Sequence, residues 1–136
     1  MQGLNTTPVH AHTALFGVYG ILGIALMLFC FKAYDPSRKW NTHILMFGFW
    51  ALNIGLILEV VLSLLPVGLL QTWASVEHGL WYARSAEFLQ TDLMALLRWM
   101  RIIGDTVFAF GALAIGIFVA GLKLGWSYRK NGTTVH

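Results

Sequence analysis

From Thr13 to Phe31 the chain reads TALFGVYGILGIALMLFCF without one charged side chain, and two further apolar runs follow at 44–70 and 102–122. Each is close to or above the ~20 residues a helix needs to cross a bilayer. Only Glu59 interrupts the second run with a charge, and Asp105 lies near the start of the third. The rest of the composition agrees. Charged residues make up 11% of the chain and hydrophobic ones 57%, with a mean hydropathy of +0.67. A soluble domain carries about 25% charge. A chain of 136 residues with so few charges has lipid as its solvent. The expected fold is all-α and integral to the membrane, with about three transmembrane helices.

Local signals place those helices at roughly 9–31, 43–72 with an interfacial extension, and 102–124. Thr7 before Pro8 suits a helix start, with threonine as N-cap and proline at the first position. Lys32–Asn41 is a polar connection broken by Pro36. Pro66 is expected to kink the second helix or to end its regular part. Residues 71–101 mix Trp73, Trp81, Tyr82 and Trp99 with charges, a composition typical of the membrane–water interface. No cleavable leader pattern opens the chain, because its first twelve residues contain no Lys or Arg.

Lys and Arg set the orientation. The first connection holds Lys32, Arg38 and Lys39 against Asp35, and the tail holds Lys123, Arg129 and Lys130 with no acid. The middle connection balances three arginines with three acids. With three crossings, the first connection and the tail share the cytoplasmic side, and His10, His12 and the middle connection lie near the outer face. The basic residues form short clusters beside apolar runs, so nothing here suggests a nucleic-acid partner. The lone Cys30 is expected as a small buried apolar side chain.

His10 and His12 are the first candidates for chemistry. Residues two apart on an α-helix stand about 200° apart around the axis. The pair therefore cannot chelate one metal, but it can serve two groups on opposite faces. Axial ligation of two haems is such a use; two interfacial histidines with no ligand is the plainer reading. Glu59 stands for either a proton or water path or a structural partner on a neighbouring helix. Asp105, read as lying in the first turn of the third helix, suits the free N–H groups there, or else pairs with an arginine or a haem carboxyl group. Arg84, Arg98 and Arg101 can hold haem propionates, Arg98 and Arg101 foremost, or pair with Glu77, Glu87 and Asp92. His78 is read as an interfacial hydrogen-bonding residue before a third ligand. Gly17, Gly20 and Gly23 form a small-residue stripe for a packed helix or a flat porphyrin. No serine–histidine–acid set, phosphate loop or zinc spacing stands out.

The segments His10–Gly20 (HAHTALFGVYG), Ser63–Gln71 (SLLPVGLLQ), Ala74–Gln90 (ASVEHGLWYARSAEFLQ) and Leu97–Phe108 (LRWMRIIGDTVF) resemble the C-terminal part of bacterial nitric oxide reductase large subunits. These belong to the haem–copper oxidase superfamily. The resemblance covers nearly the whole chain, and WYARSAEF is more similar to quinol-dependent members than to cytochrome-c-dependent ones. It implies that His10 is the proximal ligand of haem b3 and His12 a ligand of low-spin haem b. It further implies reduction of two NO to N2O and water, with quinol (or cytochrome c) as electron donor, in the bacterial inner membrane.

One departure is large. The family's non-haem iron is held by three histidines and a glutamate on earlier helices, and low-spin haem takes its second histidine from an earlier helix. His43, His78 and His136 do not form those motifs. The chain is therefore expected to be a C-terminal fragment that depends on upstream helices of the parent subunit and is inactive alone. Two other classes stand beside this reading: a small membrane b-type haem carrier that dimerises to complete its ligation, and a haem-free accessory subunit.

Overall fold

A computed structural model describes residues 4–128. Three helices are long and apolar enough to cross a membrane: α1 (Thr6–Tyr34), α2 (His43–Glu77) and, after a short α3 (Ala86–Leu89), α4 (Asp92–Leu124). At 1.5 Å per residue they are about 43–52 Å long, well beyond a ~30 Å hydrocarbon layer. Their ends therefore stand in the interfaces, where the charges of residues 71–101 are found. The expected all-α, three-span architecture is the one observed.

Two of the three depart from α geometry inside the span. In α1 the turns widen to π form over Ala11–Gly20. At the start of that stretch, His12 Nδ1 bonds the carbonyl of Pro8 at 2.9 Å and Thr13 Oγ1 donates to the carbonyl of Val9 at 2.7 Å. Both carbonyls are thus engaged by side chains four residues on, which favours a register shift of the backbone ladder. In α2 the π turn covers Val60–Leu64, immediately before Pro66. The wider turn accommodates a residue that lacks an N–H and whose ring crowds the carbonyl four residues back. The helix continues through Pro66 to Glu77 instead of ending there.

The helix starts differ from expectation. The N-cap of α1 is Asn5, one turn earlier than the Val9 start read from Thr7–Pro8, and Pro8 lies within the first turn. Helix α4 begins at Asp92, not near Ile102, with Thr91 as N-cap in extended conformation and Asp92 in the first turn. A carboxylate there is favoured by the helix dipole. The charged stretch before the apolar run is thus helical too.

Packing is uneven. Helices α2 and α4 meet closely through glycines, while the apolar span of α1 buries none of its residues. Contacts of α1 with the pair include Gly17 against Leu56 and an edge-on pair, Phe16 with Phe108, at 4.9 Å between ring centres. Of the stripe Gly17, Gly20 and Gly23, only Gly17 faces another helix. Cys30 is exposed and not buried as expected, because this helix presents its apolar side chains outward.

The two ends of the bundle are tied separately. On the His10 side, the buried Gln71 carboxamide accepts the Asn5 N–H at 2.7 Å and donates to the carbonyl of Ala83 at 3.2 Å. Around it Leu4, Ala74 and Ala83 form a small core against Tyr82 and Phe88. Replacing Gln71 by Ala strands two buried backbone groups, so we expect a loss of about 2 kcal/mol. Hydrogen exchange at residues 4–10 should quicken in that variant; unchanged exchange there would show that the helix start is held by something else. On the opposite side Trp40 pairs with Tyr128, and the Asn41 N–H donates to the carbonyl of Ser127 at 2.8 Å. The first connection and the tail therefore share one side, as three crossings require. Arg129, Lys130 and His136 lie outside the described residues.

Candidate functional site

The site begins with a close approach of two backbones. A Cβ placed on Gly104 of α4 would lie 2.5 Å from the backbone nitrogen of Glu59 in α2. Only hydrogen fits between the helices at that level. Arg101 lies one turn before Gly104, and its long side chain reaches Glu59 across this close approach. Arg101 Nη2 stands 3.1 Å from Glu59 Oε1, and Arg101 Nε lies 3.2 Å from Asp105 Oδ2. Helix α1 adds the fourth member, with His12 Nε2 at 3.5 Å from the same Glu59 oxygen.

Burial differs sharply across the cluster. Glu59 is 4% exposed, while the Arg101 and Asp105 side chains are 42% and 47% exposed. Glu59 Oε1 has no aligned hydrogen bond, so its contacts are charge proximity and not directed bonds. A carboxylate at this depth is costly without a cation, and Arg101 supplies one. Of the two roles open for Glu59, the structural partner is the one with named contacts. Asp105 lies in the fourth turn of α4, so the first-turn role does not apply; it pairs with Arg101 along the same helix.

The other candidates are spread along the same end. His10 is exposed and makes no hydrogen bond among the described residues, whereas His12 is half-buried and turned to Glu59. The two imidazoles thus meet different surroundings, as opposite faces predict. Arg98 donates from Nη2 to the carbonyl of Leu89 at 2.8 Å and from Nε to that of Met94, closing the turn into α4. Arg84 lies in a 3-10 turn, Tyr82–Arg84. His78 stacks edge-on between Trp73 and Tyr82, an interfacial aromatic setting. Gln71 and Gly104 position the site and were not singled out from the sequence. The signal for Gly104 was its seven-residue spacing to Gly111, matched by Gly48 and Gly55.

This is a polytopic membrane protein that gathers histidine, arginine and carboxylate at one end of an apolar bundle. The chain belongs to the family described as Cytochrome C and Quinol oxidase polypeptide I, to which residues 1–107 match. That span includes every residue of the cluster, and the family makes the chain part of a haem–copper oxidase-type subunit. A search of curated proteins finds no match.

Haem is the group such a family implies, and the histidines can be tested against it. The bond from His12 Nδ1 to a backbone carbonyl fixes the proton on that nitrogen and leaves the lone pair on Nε2, the arrangement seen in iron-ligating histidines. His10 offers an accessible ring on an apolar helix surface. The donor chemistry therefore fits. His12 Nε2, however, shares its direction with Glu59, so a haem on His12 needs that carboxylate to stand aside.

Proposed function

We propose that this chain supplies two axial haem histidines, one for haem b3 and one for low-spin haem b, of a nitric oxide reductase of the quinol-dependent type. The observation that carries the reading is the His10–His12 pair, set on different sides of one membrane helix within the stretch that matches the family. His10 would hold haem b3 and His12 low-spin haem b. Such haems supply electron storage and, at b3, a binding place for NO.

The protein's own groups then have separable tasks. His12 is held by the Pro8 carbonyl, which orients its ring. Arg98 uses Nε and Nη2 on backbone carbonyls, which leaves Nη1 to hold a haem carboxylate; Arg101 bonds Asp105 through Nε and stands beside Glu59 through Nη2, so its Nη1 would be the nitrogen to do the same. Apolar residues of α1 exclude water from the haem faces. The remaining iron ligands, a second axial histidine and the non-haem iron set, come from helices outside this chain. The His10 end faces the periplasm and the Trp40 end the cytoplasm.

The test is co-expression with helices that supply the missing ligands, read by reduced haem spectra and by NO consumption. His12→Ala should remove the low-spin signal and leave a high-spin one, while His10→Ala should do the reverse and abolish turnover. An assembled protein that reduces oxygen but not NO sinks the reductase assignment. Stoichiometric haem in the chain on its own would favour the electron-carrier reading.

A further inference from the structure

At the Trp40 end, opposite the histidines, α1 and α4 diverge and leave a cleft of about 480 Å³. Its inner wall is apolar, formed by Phe31 on α1 and Val119 and Ala120 on α4. Its rim carries Arg38, Lys123 and the ring of Tyr128. Lys123 is exposed and makes no ion pair among the described residues. Arg38 stacks over Tyr128 at 4.9 Å and pairs through Nε with Asp35 at 3.1 Å. Both of its terminal nitrogens remain available, and a guanidinium can serve two anions at once.

We propose that this cleft binds one anionic phospholipid, its phosphate between Arg38 and Lys123 and an acyl chain against the Phe31–Val119–Ala120 wall. Three observations converge on that occupant. The cleft is amphipathic in the direction a lipid is, polar at the interface and apolar toward the span. Two cations face one acid across it, so a net positive rim meets an anionic headgroup. The fixed shape comes from the connection itself: Lys32 Nζ donates to the carbonyls of Pro36 and Arg38, and so holds the backbone that carries Arg38. A headgroup of no net charge or a quinone leaves the rim's net positive charge unanswered. The inference rests on membrane placement and not on the haem reading, so lipid retention and NO consumption fail separately.

The test uses the full chain, assembled with its subunit where that is needed for stability, and native mass spectrometry after exchange into phosphatidylglycerol or phosphatidylcholine. The wild type should retain phosphatidylglycerol about tenfold more than phosphatidylcholine, given the attraction of anionic lipid to each basic residue. The double variant Arg38→Gln, Lys123→Gln should lose that preference. Ala120→Trp keeps both charges but fills the wall, and it should lose the bound lipid as well. Equal retention of the two lipids by the wild type overturns the proposal, and so does unchanged retention in both variants. Removal of the adduct by excess inorganic phosphate overturns it too, by showing a phosphate site with no role for the acyl wall.

Discussion

Arg101→Met should destabilise the folded chain by about 3–5 kcal/mol, while Glu59→Gln should cost only about 1 kcal/mol. The asymmetry follows from where each charge sits. Glu59 is 4% exposed inside the span, and its nearest cation is Arg101 at 3.1 Å. Removing the guanidinium leaves a carboxylate facing only His12 at 3.5 Å. Removing the carboxylate charge leaves Arg101 partly solvated and still paired with Asp105 at 3.2 Å. Asp105→Asn should matter least, since an exposed pair contributes at most about 1 kcal/mol. Unfolding in mixed detergent micelles, followed by tryptophan fluorescence, ranks the three. If Glu59→Gln proves as damaging as Arg101→Met, the pair is not a buried anion held by a half-exposed cation. The role of Glu59 must then be sought in proton movement.

Hydropathy carried the large features. Three charge-poor runs of helix-spanning length point to three crossing helices, because only a helix satisfies its backbone polar groups in lipid within one segment. Three crossings put the first connection and the tail on one side, and the Trp40–Tyr128 pairing brings them together. The different surroundings of His10 and His12 followed from helical periodicity alone. The misses have local causes. The start of α4 was placed at the apolar boundary near Ile102, yet a helix does not stop where it leaves the hydrocarbon. Thr91 followed by Asp92 was the available start signal. Pro66 was open to a kink or an end of the regular part, and a π turn before it absorbs the disruption. The contact between Glu59 and Arg101 spans two helices and has no signature in either. In the same way Gly17, Gly20 and Gly23 form a stripe, although the glycines that bring α2 against α4 are Gly48, Gly55, Gly104 and Gly111. Which face of a membrane helix meets its neighbour is set by the partner, so a single helix's pattern cannot decide it.

The second large effect is expected at that glycine interface. Gly55→Ala and Gly104→Ala should each destabilise the bundle by about 3 kcal/mol, and together they should separate α2 from α4. A Cβ on Gly55 would lie 2.5 Å from the backbone nitrogen of Phe108, and one on Gly104 the same distance from that of Glu59. Both obstacles are main chain, so no rotamer change relieves them, and one helix has to shift bodily. Gly23→Ala and Gly116→Ala supply the internal control. A Cβ at either meets nothing within 4 Å, and alanine is the better helix former by about 1 kcal/mol. Thermal unfolding in detergent should therefore show two classes of glycine, with near-neutral or stabilising changes at 23 and 116. A uniform response across all four would mean that close backbone contact does not hold α2 to α4. The consequence reaches the site. Gly104 lies one turn from Arg101, so a helix pushed away at Gly104 withdraws the guanidinium from Glu59. The Gly104→Ala loss should accordingly be smaller in an Arg101→Met background, because the two changes damage the same contact.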